Sequence, residues 1–377
     1  MSNSQNLRQS IGQQVIMGIE GLTLTEAEKT FIVDNNIGGI ILFRRNVEGG
    51  AEQVRDLCAS IQELRHKMRD KAPFTISIDM EGGRVHRLRP PFTQFPALAH
   101  VGKIDSTSVA FRFAQMMGDE LRAVGINLDF APSIDIFSNP ANTVIGDRAL
   151  GTTAEPVGRL GSALVRGYIK AGVIPCAKHF PGHGDTLIDS HHGLPVEQKT
   201  LEELEAFELE PFKKVIRARL DLIMAAHIRY PKIDPEWPAT LSEIFLKKLL
   251  REKMRYRELI ITDDLDMGAL KQNYPKPVIA VRALKAGCNI LLYCNETDSP
   301  PIAIDAVEKA VRDGELELSV VEDNCARMLN LKKANLAHPE PKSMSDVSRI
   351  VGHPDHLRLA QSILAGSVPA DLLNQTT

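Results

Sequence analysis

The densest chemistry in the chain lies in one run: Lys178-His179-Phe180-Pro181-Gly182-His183-Gly184-Asp185-Thr186-Leu187-Ile188-Asp189-Ser190-His191-His192-Gly193-Leu194-Pro195. It places four of the chain's eleven histidines, two aspartates and three glycines in 18 residues. Histidine titrates near neutral pH and can both give and take a proton. Asp189 and His191 are two apart, so in a turn the carboxylate reaches the ring, orients it and raises its basicity. Gly182, Gly184 and Gly193 permit a sharp, mobile loop. Two other readings of the run are a solvated polar loop and a zinc site using His179, His183, Asp185, Asp189, His191 and His192.

Three further stretches carry polar residues where apolar runs end. Ile260-Ile261-Thr262 leads directly into Asp263-Asp264. One aspartate can cap a helix, but capping does not need two, so the pair offers a catalytic carboxylate. Ile76-Ser77-Ile78 leads into Asp79, followed by Glu81-Gly82-Gly83-Arg84 and Arg87. There an Asp–Arg pair that only holds a loop competes with a binding role. Arg148, in Ile145-Gly146-Asp147-Arg148, reads alone as a surface salt-bridge residue.

The elements that must position these residues alternate. Apolar, β-branched runs at Gly38–Phe43, Phe74–Ile78, Ile126–Phe130, Val173–Ala177, Leu220–Ala226, Leu259–Thr262 and Cys288–Tyr293 read as strands. Helices are expected over Ser106–Val124, Glu155–Ala171, Thr200–Arg217, Ser242–Lys253 and Val278–Ala286, with hydroxyl starts or glycine stops. Seven or eight strand–helix units predict an α/β fold, a TIM-type (β/α)8 barrel, over residues 1–337. Glu81-Gly82-Gly83-Arg84 lacks the spacing of a dinucleotide-binding glycine loop. A helix over Ser319–Ala337 and a breaker-rich linker from His338 lead into a short helical C-terminal extension, 338–377, with one helix at Asp355–Leu364. In a barrel, chemistry gathers at the strands' C-terminal ends, where all four stretches fall.

Composition narrows the classes. Net charge is −3 and 43% of residues are hydrophobic, which points to no nucleic acid or membrane partner. No secretory leader or bilayer-length apolar run is seen. The five cysteines, Cys58, Cys176, Cys288, Cys294 and Cys325, are scattered and read as reduced thiols in a cytoplasmic protein.

Together the four stretches resemble glycoside hydrolase family 3, and within it the bacterial β-N-acetylglucosaminidases of peptidoglycan recycling. The specific part is Lys178-His179-Phe180-Pro181-Gly182-His183-Gly184 followed by Asp189-Ser190-His191, and the resemblance covers roughly residues 10 to 335. Pro238-Ala239-Thr240-Leu241-Ser242 is also similar to the family. The resemblance implies Asp263 as nucleophile, His191 as general acid/base and Asp189 as its partner. It implies that Asp79, Arg87, Arg148, Lys178 and His179 hold the sugar's hydroxyls. The implied activity is a retaining exo-β-N-acetylglucosaminidase acting through a glycosyl–aspartate, with no cofactor, metal or obligate protein partner. The alternatives are a same-family β-glycoside phosphorylase, β-glucosidase or xylosidase, a metal-dependent hydrolase and a non-catalytic sugar-binding barrel.

Overall fold

The computed structural model describes residues 3–187, 190 and 193–373. Eight parallel strands close into a barrel: β1 (Val15–Gly18), β2 (Gly39–Leu42), β3 (Thr75–Ile78), β4 (Leu128–Asp129), β5 (Ile174–Phe180), β6 (Leu222–Ala225), β7 (Leu259–Asp264) and β8 (Ile290–Tyr293). They follow one another around the ring in chain order, β8 pairing with β1. The (β/α)8 reading holds. Buried on both faces, these strands read as near-continuous apolar runs.

Helices between the strands cover the outside and start and stop as the sequence indicates. The Ser106 hydroxyl accepts from the Val109 N–H to cap Thr107–Ala123, and Gly172 ends Ala154–Ala171 in the left-handed region at φ 77°. One expected helix is corrected: Thr200–Arg217 is two helices, Leu201–Ala206 and Leu209–Ile216. Pro211 explains the break. Inside a continuous helix it would withhold an N–H from the Phe207 carbonyl, whereas in the first turn of a new helix it is tolerated. Ile244–Lys253 is wound as a π-helix, closed by Met254 N–H donating to Leu249 O at 2.9 Å.

The barrel interior is filled by strand side chains such as Ile16, Ile174, Leu222, Leu259 and Ile290. Met328 and Leu331 of the helix Leu318–Asn335, with Leu336 after it, join the same cluster. That helix therefore plugs the end where the strands begin and leaves the opposite end open. The C-terminal segment adds helices Met344–Ile350, Pro354–Ala365 and Ala370–Leu373, which lie against Thr107–Ala123. Among the described residues no helix is long and apolar enough to cross a membrane.

Candidate active site

The described candidate side chains sit at the strands' C-terminal ends or in the loops that follow them. Asp79 follows β3 directly, and Glu81 lies in the first arm of a short hairpin made by Met80–Gly82 and Val85–His86. Lys178 and His179 belong to β5, whose Lys178–His179 and Phe180–Pro181 peptides are cis. The chain after β4 runs beside β5, with Ile134 N–H donating to Lys178 O at 2.8 Å. That course delivers Asp135 to His179. Arg148 ends a 3-10 turn, Gly146–Arg148, and Asp263 lies near the end of β7.

These residues form one charge network. Lys178 Nζ donates to Asp79 Oδ1 at 2.8 Å and to Glu81 Oε1 at 2.7 Å. Arg148 grips Glu81 in a two-point fork, Nε to Oε2 at 2.8 Å and Nη2 to Oε1 at 2.7 Å. Arg87 Nη2 reaches Asp79 Oδ2 at 3.2 Å. Burial acts to raise Glu81, but the fields of Arg148 and Lys178 outweigh it and hold it far below the ordinary carboxylate range. Burial likewise acts to lower Lys178, and Asp79 and Glu81 hold it above its ordinary value. A buried charge survives only when paired in this way. Asp129, which accepts the Met80 N–H at 2.9 Å, is instead pushed well up by burial.

Asp135 organises the histidines. Its Oδ2 accepts the His179 Nδ1–H at 2.7 Å, and its Oδ1 accepts the His183 N–H at 2.7 Å. With Nδ1 donating, His179 turns Nε2 toward Arg148 Nη2 at 3.4 Å, so the ring presents a lone pair there. His183 is lowered to about 4, first by burial and then by the field of His179, so it is neutral at physiological pH. Its Nδ1 meets Thr186 Oγ1 at 2.6 Å and its Nε2 meets Ser190 Oγ at 3.2 Å. Gly184 lets this loop lie flat on its neighbour, since a Cβ there would stand 1.7 Å from the Ile136 carbonyl oxygen.

Asp263 shares the space. Its Oδ1 accepts the Asp264 N–H at 2.8 Å. Burial acts to raise it, but His179, His227, that N–H and Lys178 hold the carboxyl below its ordinary value. Asp264 does not cap a helix, contrary to one reading of the pair. Its Oδ1 accepts the N–H groups of Asp266 and Cys294, both at 3.1 Å, which ties β7 to the end of β8. Both adjacent acids line the cavity, but with separate duties, Asp263 as an anion there and Asp264 holding the loop.

A cavity of about 180 Å³ opens at this end of the barrel, lined by Asp79, Glu81, Arg87, Arg148, Lys178, His179, His183, Ser190 and Asp263, with Phe43, Phe130 and Met224 among its apolar walls. The structure therefore brings together Asp263 and all five residues expected to hold the sugar. Asp189 and His191 lie outside the described residues. Glu81, Asp135 and His227 were given no role from sequence, and His183 was considered only as a possible zinc ligand. Glu81 had a usable signal, because residues two apart at a strand end face the same way, as Asp79 and Glu81 do. Asp135 had none, since only the course of the chain after β4 brings it near.

A larger cavity, about 590 Å³, lies between the helix Thr107–Ala123 and the C-terminal segment. It is on the outside of the barrel, apart from the strand ends that gather the network above. Among the described residues, no three histidine, cysteine or acidic side chains converge as a metal site.

The N-terminal domain of glycosyl hydrolase family 3 matches residues 6–331. The chain is 38% identical over 299 residues to a β-hexosaminidase of Hydrogenovibrio crunogenus, which covers 78% of this chain and 80% of that protein. It superposes with a TM-score of 0.89 on a family 3 β-N-acetylglucosaminidase from Paenibacillus, at 37% identity over 96% of this chain and 68% of that one. NagZ from Neisseria gonorrhoeae, solved in complex with N-trifluoroacetyl-D-glucosamine, superposes with a TM-score of 0.74 at 33% identity, over 94% of this chain and 98% of that one. A closed barrel, a charge network at its open end and these relatives lead to one statement: the chain belongs to glycosyl hydrolase family 3 and is a glycoside hydrolase of its β-hexosaminidase group.

Proposed function

We propose that this enzyme is a retaining exo-β-N-acetylglucosaminidase that removes terminal non-reducing N-acetylglucosamine from peptidoglycan fragments. The observation that carries the reading is an ionised carboxylate, Asp263, sharing one small cavity with the Asp79–Lys178–Glu81–Arg148 network. Such a network offers fixed donors and acceptors to the hydroxyls of one sugar ring, and a cavity of about 180 Å³ suits a single ring at the chain end. In this mechanism Asp263 attacks the anomeric carbon while His191 protonates the leaving oxygen. The electron pair of the broken bond leaves with the aglycone. His191, oriented by Asp189, then takes a proton from water as the water displaces Asp263. Asp79, Arg87, Arg148, Lys178 and His179 bind the ring. We take residues 1–337 as the catalytic unit and 338–377 as its appendage. The five free, buried thiols fit work in a reducing compartment.

Turnover of chromogenic β-N-acetylglucosaminide, β-glucoside and β-xyloside tests the reading. A strong preference for the acetamido sugar is expected, and equal or better turnover of the glucoside contradicts it. Repeating the assay with added phosphate separates hydrolysis from phosphorolysis.

A further inference from the structure

His227 stands two residues past the end of β6, buried to 1% exposure beside the end of β7. Its Nε2 is 2.9 Å from the Asp264 carbonyl oxygen, and its Nδ1 is 2.9 Å from Thr240 Oγ1. A carbonyl only accepts, so Nε2 carries a proton. The state of Nδ1 follows from where the single Thr240 hydroxyl proton goes. Thr240 Oγ1 lies 2.6 Å from the Ala226 carbonyl oxygen and 3.0 Å from that of Ala225. If the proton pointed at Nδ1, two oxygens would face each other at 2.6 Å with no hydrogen between them. If it points at Ala226, that contact is a short O–H···O bond of normal geometry. Oγ1 then turns its lone pairs to Nδ1, which must donate. Both ring nitrogens therefore bear protons.

A buried cation requires an anion nearby. Among the described residues the network at the open end is already balanced: Asp79, Glu81 and Asp135 face Lys178, Arg87 and Arg148. Asp263 is one carboxylate more, on the strand next to His227, and among the described residues it has no ion-pair partner. Asp264 connects the two, its carbonyl accepting from the ring and its N–H donating to Asp263 Oδ1 at 2.8 Å. Among the described residues, the other titratable groups around Asp263 are Lys178 and His179 from β5 and Asp264 from its own strand.

We propose that His227 is a buried imidazolium that positions and counter-charges Asp263. Its protonation stands on geometry alone, while its consequence rests on Asp263 being the nucleophile. When Asp263 becomes the neutral ester of a glycosyl–enzyme, the imidazolium loses its counter-charge. Its field then favours the second step, in which the bond from the anomeric carbon to Asp263 breaks and the electron pair returns to the carboxylate. The ring keeps both protons throughout, so its part is electrostatic.

The test is the ¹⁵N spectrum of histidine-labelled full-length enzyme at neutral pH, with His227 assigned by the resonances lost in His227→Gln. Two protonated ring nitrogens are expected, and one lone-pair nitrogen overturns the proposal. Because wild-type protein carries this readout, poor folding of the variant does not remove it, and assignment can then proceed by through-bond correlation. Where His227→Gln folds, it keeps a donor but loses the charge. Steady-state turnover of a chromogenic substrate should then fall about tenfold or more, behind a burst of released chromophore as the intermediate accumulates. A fall without a burst, in a variant whose Asp263 still takes a slow-turnover label, contradicts the counter-charge role. Absence of that label in wild type would instead fault the nucleophile assignment.

Discussion

Lys178 touches two carboxylates at once, and so shows how the site is held. Asp79 and Glu81 both converge on its ammonium group, and Arg148 completes Glu81 from the other side. Glu81→Gln keeps the shape but removes the charge that balances two buried cations. A charged hydrogen bond contributes about 1.5–3 kcal/mol, so kcat/KM should fall by roughly a hundredfold. Unchanged kinetics in a folded variant would show that Glu81 is only a strut. His191→Ala should slow a natural substrate far more than one with an acidic phenol leaving group, because the phenol departs without full protonation. Added azide, which needs no base, should speed the variant and yield a β-glycosyl azide. Wild-type activity of His191→Ala on the natural substrate would place the acid/base elsewhere. Asp263 was legible from its place after a strand, and Asp79 likewise. The choice of Asp263 over Asp264 came from family resemblance, because adjacent side chains point apart and spacing alone cannot rank them. Asp135 and His227 were illegible because each acts through a partner that only the folded chain brings near.

At the scale of elements, the C-terminal segment is tied to the barrel through a buried acid. Glu120 Oε1 accepts from His356 Nδ1 at 2.8 Å, from Gly352 N–H at 3.1 Å and from the Thr93 hydroxyl at 2.6 Å, and Oε2 accepts the Thr93 N–H at 2.9 Å. Thr93 lies in the loop that follows Arg87, so one carboxylate joins the extension to the loop that begins at a cavity-lining residue. Glu120→Ala leaves several buried donors unpaired, each costing about 1–3 kcal/mol. Denaturant melts should show a loss of at least about 2 kcal/mol. A loss within the noise of a surface substitution would show that the extension is held by apolar contact alone. The sequence revealed Pro354–Ala365 to within a residue at each end. It did not reveal Met344–Ile350, because seven residues after a breaker-rich linker carry too short a period to read. The four-residue β1 escaped for the same reason, being defined by pairing with β2 and β8 rather than by its own composition.

Across the whole molecule, one end of the barrel is sealed for stability and the other is charged for chemistry. The sealed end has the plug of Met328, Leu331 and Leu336, and the open end concentrates buried ions whose titration couples stability to pH. Asp264 is the clearest case, raised from 3.8 to about 7, chiefly by burial. The folded chain binds this proton more tightly than the unfolded chain does. Its contribution is therefore fully present below about 4 and is lost as pH rises through about 7. Asn mimics the protonated acid, so Asp264→Asn should melt with wild type in acid and above it beyond neutrality. A pH-independent difference would contradict that assignment. The alternation of apolar runs with helical segments was enough to read the barrel, because strands buried on both faces read as near-continuous apolar runs. The central claim is covalent catalysis by Asp263. Incubation with a fluorinated, slow-turnover N-acetylglucosaminide, followed by peptide mass spectrometry, tests it most directly. A single adduct on Asp263 is expected, and an adduct on Asp264, or turnover with no trapped enzyme, would contradict the account.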